Sequence, residues 1–193
     1  MTAEEVVARL RAAANPDNVA GMARYGINST GTLGVSIPAV RALAREVGKD
    51  HALAQELWDS GIHEARILAS LVDSPKLVTP KQMDDWIREV DSWDVCDQVC
   101  HNLFRYTPYA WKKALRWSGA KAEFTRRAGF SLMAGLAVKS KARDGDFLAG
   151  RDSWRLRAIA YRPRRMCSCS GHVSSAATTR IGQRFRCASG KAI

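Results

Sequence analysis

Successive helical segments make up most of this chain, and no other feature restricts its fold as much. Ser36-Ile37-Pro38 and Thr79-Pro80 each place a capping hydroxyl before a proline in the first helical turn, where the missing N–H costs nothing. No segment alternates strictly between apolar and polar residues, as an exposed strand does. The sequence therefore predicts an all-α fold. Residues 3–14 illustrate the pattern, because their apolar side chains recur at helical spacings, at Val6, Val7, Leu10 and Ala13.

The helical segments also recur in pairs. Segments of about ten to fifteen residues are separated by short breaks rich in Gly and Pro, and pairs return at intervals of roughly 35 to 45 residues, as they do in α-helical repeat proteins. In such proteins each repeat contacts its neighbours and the stack forms an α-solenoid. Periodicity alone supports an all-α domain and leaves the geometry of the stack undefined.

The composition changes after about residue 147. Residues 162–193 contain no acidic residue and no sustained apolar period, and Ser, Arg, Cys, Gly and Thr dominate there. We therefore expect a helical-repeat domain over residues 1–161 and an atypical, basic, poorly ordered tail over residues 162–193. The tail is either a natural extension that binds DNA or an end read in a shifted frame, and the abrupt loss of pattern favours the second.

The net charge of +11 is distributed unevenly along the chain. Residues 151–193 hold ten Lys or Arg and one Asp, and therefore carry +9. Residues 108–143 hold nine basic side chains against Glu123 alone, a local excess of +8. Such a region could line a groove for phosphates, although a solvated helix face is the ordinary explanation of a charge run.

The segment from Asp91 to Asp97 contains the pair of residues most suggestive of chemistry. Trp93 and Asp97 are four residues apart, so in a helix they project from one face, an indole beside a carboxylate. That arrangement suits a substrate that becomes cationic while the backbone that carries it is anionic, such as an alkylated nucleobase in DNA. The alternative is a core tryptophan beside a capping acid, which is the commoner meaning of this spacing.

Five segments of the chain form a recognisable series, in this order: Met22-Ala23-Arg24-Tyr25, Leu33-Gly34-Val35, Glu56-Leu57-Trp58-Asp59, Ser92-Trp93-Asp94-Val95-Cys96-Asp97 and Arg126-Arg127-Ala128-Gly129-Phe130. With these segments the chain resembles, over roughly residues 5–148, the AlkD-like DNA alkylation repair glycosylases, which are built from HEAT-like repeats. The resemblance implies a curved α-solenoid of HEAT-like repeats with a concave basic groove. It also implies hydrolysis of the N-glycosidic bond of N3- or N7-alkylated purines in duplex DNA, with no deep base pocket.

The resemblance assigns catalytic roles to Asp97, Trp93 and Arg127. The Asp97 carboxylate is expected to stabilise the oxocarbenium charge that develops on the sugar and to orient the attacking water. Trp93 is expected to offer its ring face to the sugar and the cationic base, and Arg127 to grip a phosphate with paired donors. The family carries a glutamine at the position of Ser36, and the change to serine weakens the DNA contact expected at this position. The expected DNA contacts are Tyr25, Ser36, Lys112, Lys113 and Arg126.

Other residue types add few functional signals. We expect no metal and no organic cofactor, because the cationic base leaves without protonation and the sequence has no metal-ligand cluster or phosphate-binding glycine loop. Cys96 and Cys100 are expected to be small buried residues, His51 and His63 to lie at the surface, and Asp94 to support the start of its helix. No signal peptide or membrane-spanning run is apparent, so we expect a cytoplasmic protein that does not enter membranes. We also expect the protein to be a monomer.

Three functions are compatible with these features. The first is a cofactor-free glycosylase whose partner is double-stranded DNA with alkylated bases. The second is a non-catalytic protein that binds damaged or branched DNA, and the third is a protein-binding helical scaffold. Retention of Trp93, Asp97 and Arg127 favours the first function, and a steep salt dependence of DNA affinity would separate both DNA-binding functions from the scaffold.

Overall fold

The computed structural model describes residues 1–139, with side chains up to residue 137. Over this range nine α-helices form and no strand occurs, which confirms the all-α prediction: α1 Ala3–Ala12, α2 Pro16–Arg24, α3 Ile37–Val47, α4 His51–Asp59, α5 His63–Val72, α6 Pro80–Glu89, α7 Trp93–Asn102, α8 Ala110–Ser118 and α9 Glu123–Lys139. A single 3-10 turn, Phe104–Tyr106, lies between α7 and α8. The expected boundary at residue 161 and the tail at residues 162–193 lie outside the described residues.

From α4 onward the helices form pairs that repeat at intervals of 29 or 30 residues. The first helices of the pairs begin at His51, Pro80 and Ala110, and the second helices at His63, Trp93 and Glu123. This interval is shorter than the one the sequence suggested, because only three or four residues join the two helices of a pair. The second helices form one layer, in which α5 packs against α3 and α7, and α7 packs against α9.

Hydrogen bonds connect similar positions of adjacent repeats, with partners 28–33 residues apart. The Trp58 indole N–H, for example, donates to the Glu89 carboxylate at 2.7 Å. The amide of Asn102 donates to the Ser70 hydroxyl at 3.2 Å. Because each of these bonds spans about one repeat, together they fix the register of one helical pair on the next.

Buried aromatic rings fill the space between the pairs. Trp58 stacks on Trp86 with ring centres 4.1 Å apart and planes 2° from parallel. Phe104 follows, with its ring centre 6.2 Å from that of Trp86 and 6.2 Å from that of Trp117. Each such pair contributes about 0.5–1.5 kcal/mol beyond the burial of its area. The aromatic contacts therefore continue from α4 to α8 without a break.

Small residues let α9 pack closely on both of its neighbours. Cys96 and Cys100 of α7 are buried, as expected, and their thiols donate to the backbone carbonyls of Phe124 and Ala128 at 3.6 and 3.7 Å. Burial in this interface raises the pKa of the Cys100 thiol well above its ordinary value. On the other side, a side-chain carbon added to Gly129 would lie 2.3 Å from the backbone nitrogen of Ser118. Contact between backbones thus sets the distance between α8 and α9.

The N-terminal helices attach to this stack in different ways. α1 packs on α4 and α5, whereas α2 has no buried residue. Polar contacts hold α2 in place: the Asn15 side chain caps its first turn, and the Asn18 amide donates to the Gly34 carbonyl at 2.8 Å. Ser36 is the N-cap residue of α3 as expected, but its side chain makes no capping hydrogen bond. α2 therefore stands beside the loop that leads into α3.

Replacing Gly129 by alanine tests the close packing of α8 and α9. We expect Gly129→Ala to lower the free energy of unfolding by about 1–3 kcal/mol, because the new carbon overpacks a backbone contact that has no flexible side chain to yield. Urea denaturation of the purified protein measures the change.

Gly21→Ala in α2 is the matched control, because apart from its chain neighbours and the backbone of its own helix no atom lies within 4 Å of the added carbon. Alanine in a helix is more favourable than glycine, so this variant is expected to gain about 0.5–1 kcal/mol. Equal stability of the two variants would contradict the packing described.

Candidate functional site

Asp97 and Arg127 form a paired salt bridge between α7 and α9. Nε of Arg127 lies 3.0 Å from one carboxylate oxygen of Asp97, and Nη2 lies 2.6 Å from the other. Their separation of 30 residues equals the repeat length, so the two side chains meet from equivalent places in adjacent repeats. Each side chain remains 31% exposed. The bidentate geometry therefore fixes the orientation of a carboxylate that solvent or a ligand still reaches.

Trp93 covers the same ion pair from the start of α7. The guanidinium carbon of Arg127 lies 5.4 Å from the centre of the indole ring, within the range of a cation–π contact. The indole N–H donates to the backbone carbonyl of Tyr25 at 3.1 Å. Trp93 is 37% exposed, so it is not a core tryptophan. Arg127 therefore contacts both of the residues expected to act with it, Trp93 and Asp97.

A cleft of about 600 Å³ opens beside Trp93 and Asp97. Residues of α2, of the loop and start of α3, of α5 and of α7 line it. Tyr25 and Ser36, two of the expected DNA contacts, belong to the lining, and Tyr25 is 75% exposed. The remaining expected contacts, Lys112, Lys113 and Arg126, lie outside it.

His63 is a buried residue of the cleft lining, which corrects the expectation that it lies at the surface. It is 4% exposed, and its Nε2 lies 2.7 Å from a carboxylate oxygen of Asp94. The Ser92 hydroxyl donates to the other oxygen of Asp94. Burial raises the pKa of the Asp94 carboxyl, but bonds from His63, from Ser92 and from the Val95 backbone hold that pKa below its ordinary value. Asp94 thus fixes the first turn of α7, as expected, through a histidine one repeat earlier.

His51 also has an acidic partner that the sequence analysis did not identify. Its Nδ1 lies 2.7 Å from the buried carboxylate of Asp73, which also accepts from the Gln82 amide at 2.7 Å. This network joins α4 to the end of α5 and to α6. It lies away from the cleft and is structural.

Glu64, a residue that the sequence analysis passed over, holds the loop that forms one wall of the cleft. Its buried carboxylate accepts from the backbone N–H groups of Leu33, Gly34 and Val35 at 2.9, 2.7 and 3.2 Å. Gly34 has a φ of +76°, and a side-chain carbon there would lie 2.1 Å from the carbonyl oxygen of Asn15. A carboxylate from α5 and a glycine in the loop together place Ser36 at the cleft.

The prediction that Lys113 contacts DNA is wrong, because its side chain is buried. Its ammonium donates to the Pro80 carbonyl at 2.8 Å and lies 2.7 Å from the Asp84 carboxylate. Lys112 next to it is exposed, because neighbouring residues of a helix point about 100° apart. Arg126 is half-buried on α9. Acidic residues of preceding repeats therefore offset part of the positive charge counted in residues 108–143.

Between residues 1 and 139, no helix is long and apolar enough to cross a membrane. Within that range, no group of three or more His, Cys, Asp or Glu side chains is arranged to hold a metal ion.

The chain matches a known protein family and one solved structure. The family described as DNA alkylation repair enzyme matches residues 6–149. A solved structure has the same fold with a TM-score of 0.72 and 22% sequence identity, and the match covers 82% of this chain and 66% of that chain. It represents a family described as related to the HEAT-like repeat DNA glycosylases, with affinity for branched DNA structures. Comparison with curated proteins gives no match.

The family match spans most of the chain, and it includes every helix of the described region except the first residues of α1. The same span contains Trp93, Asp97 and Arg127. The protein has a HEAT-like repeat fold and belongs to the DNA alkylation repair enzyme family.

Proposed function

We propose that this protein is a DNA glycosylase that removes N3- or N7-alkylated purines from duplex DNA by hydrolysis of the N-glycosidic bond. The observation that carries the proposal is the convergence of Asp97, Trp93 and Arg127 at one edge of an open cleft. An alkylated purine already carries positive charge and is a good leaving group. The barrier that remains is the oxocarbenium charge on the sugar, which a fixed carboxylate stabilises.

Each residue has a role that its contacts support. Asp97 faces the cleft with its carboxylate held by Arg127, so no reorientation is needed when positive charge develops at C1′. Trp93 presents its partly exposed ring beside that carboxylate, where it contacts a sugar or a cationic base. The side chain of Arg127 is 31% exposed beside Asp97, and there it binds a phosphate of the lesion strand.

A second candidate function is binding of branched DNA without catalysis. The solved structure with the same fold belongs to a family with that affinity, and this chain covers 66% of that chain. The Asp97–Arg127 pair also suits a structural role, because each partner satisfies the other. The two functions differ in one property, since only the glycosylase releases a base.

Replacing Asp97 by asparagine separates these functions. We expect the unaltered protein to release 7-methylguanine or 3-methyladenine from methylated duplex DNA, and Asp97→Asn to slow release by about 10²–10³-fold with little change in DNA affinity, because the lost charge acts on the transition state. Single-turnover base release gives the rate constants.

Asp85→Asn on α6 is the matched control, because Asp85 also forms ion pairs, with Lys81 and Arg88, but lies outside the cleft. Its release rate is expected to equal that of the unaltered protein. Normal release by Asp97→Asn would exclude the proposed mechanism, and branched-DNA affinity without any base release would favour the second function.

Lys112 and Lys113 form a matched pair, because Lys112 is exposed and Lys113 is buried. Lys112→Ala is expected to weaken duplex binding and to reduce the slope of log affinity against log salt by about 1, with stability unchanged. Lys113→Ala removes the buried partner of Asp84 and is expected to cost about 1–3 kcal/mol of stability. Binding titrations at several salt concentrations and urea denaturation measure the two effects. An unchanged slope for Lys112→Ala would show that Lys112 is not part of the DNA interface. Salt-independent DNA affinity of the unaltered protein would favour a protein-binding scaffold.

A further inference from the structure

His63, the first residue of α5, bonds to two other segments that contribute to the cleft lining. Its backbone N–H donates to the Gly31 carbonyl at 3.0 Å, in the loop between α2 and α3. Its ring bonds to α7, where Nε2 lies 2.7 Å from the Asp94 carboxylate. His63 therefore connects this loop to the helix that carries Trp93 and Asp97.

The start of α7 depends on this contact because it lacks an ordinary cap. Ser92 is the N-cap residue, but its side chain makes no capping hydrogen bond. Its hydroxyl donates to the Asp94 carboxylate instead, and the same carboxylate is bonded to His63. The first N–H groups of a helix have no partners within the helix, so a first turn without its usual cap is held by contacts from outside. Asp94 supplies that contact for α7, and His63 holds Asp94.

Burial makes the bond between His63 and Asp94 hard to replace. The two side chains are 3% and 15% exposed, so little water reaches either group. A carboxylate that loses its donor in such a place turns toward solvent to regain hydrogen bonds, and it displaces the helical turn that carries it. Trp93 is the neighbouring residue in that turn, and Asp97 follows one turn later. Loss of the bond therefore moves both residues of the proposed site.

A second histidine shows that such a contact is not functional by itself. His51, the first residue of α4, has its Nδ1 2.7 Å from the buried carboxylate of Asp73. Neither of these residues lines the cleft. The two histidines make contacts of the same length at the starts of helices, and of the two only His63 makes its contact beside the proposed site.

We propose that His63 is a positioning residue for base release, which acts through Asp94 and holds Trp93 and Asp97 in place. The inference rests on the proposed function, because that function assigns the reaction to these two residues. Displacement of a catalytic group by about 1 Å costs up to about 10²-fold in rate. Affinity for DNA is spread over many phosphate contacts and depends little on one such group. Loss of the bond to Asp94 therefore lowers the rate of base release more than it lowers DNA affinity.

Replacing His63 by methionine tests this role, because methionine has a similar volume and no hydrogen-bond donor. We expect His63→Met to slow single-turnover base release from methylated duplex DNA by about 10- to 100-fold, with little change in DNA affinity. His51→Met is the matched control, since it removes a contact of the same kind away from the cleft, and its release rate is expected to equal that of the unaltered protein. Equal rates for the two variants, normal or slowed, would overturn the role of His63. Circular dichroism melting verifies that both variants are folded.

Glutamine in place of His63 is expected to restore the reaction. Its side-chain amide donates from about the place of Nε2, so His63→Gln is expected to recover most of the rate that His63→Met loses. A rate as low as that of His63→Met would overturn the role of the hydrogen bond to Asp94. If His63→Met does not fold, Asp94→Ala removes the same bond from the less buried partner and is expected to show the same loss of rate. Normal base release by Asp94→Ala would then overturn the proposal.

The indole N–H of Trp93 gives a readout that needs no catalysis. It donates to the Tyr25 carbonyl at 3.1 Å, so its signal in a two-dimensional proton–nitrogen NMR spectrum depends on the place of the ring. Trp93→Phe identifies the signal by removing it. We expect the signal to shift in His63→Met and to stay unchanged in His51→Met. An unshifted signal in His63→Met would contradict the positioning of Trp93.

The rate and the NMR signal, measured on the same samples, separate this inference from the function on which it rests. A Trp93 signal that shifts only in His63→Met, in a protein that releases no base, supports the positioning and contradicts the glycosylase. Normal base release by His63→Met, with an unshifted signal, supports the glycosylase and contradicts the positioning.

Discussion

Contacts between side chains about thirty residues apart hold this fold and its candidate site together. Asp97 with Arg127, His63 with Asp94 and the other bonds that span one repeat follow the same rule. Because the helical pairs repeat at intervals of 29 or 30 residues, a residue and its counterpart one repeat later lie side by side. The interactions that align the repeats also assemble the cleft edge, so loss of register would separate the proposed catalytic residues.

The spacing of Trp93 and Asp97 is local, and the sequence alone predicted that they share a helix face. The position of Arg127 depends on the repeat length, which the sequence overestimated, and the family resemblance supplied it. His63 was misplaced because the residues that bury it are distant in sequence: its backbone N–H bonds to the Gly31 carbonyl and its ring to Asp94. A correct repeat length of 30 would have suggested the second of these partners.

Charge is the property that the sequence predicted least well. Counting residues 108–143 identified a basic region, but a count does not include partners on other repeats. Lys113 is neutralised by Asp84, and Arg127 by Asp97. The cleft next to this region is lined by carboxylates.

Asp97 is proposed to stabilise positive charge at the sugar, and the affinity for a charged sugar analogue tests this role most directly. The measurement compares a duplex containing a cationic pyrrolidine in place of the sugar with one containing a neutral tetrahydrofuran. We expect the unaltered protein to bind the pyrrolidine duplex at least about 100-fold more tightly, and Asp97→Asn to lose this preference. Equal affinity of the unaltered protein for the two duplexes would contradict this role of Asp97.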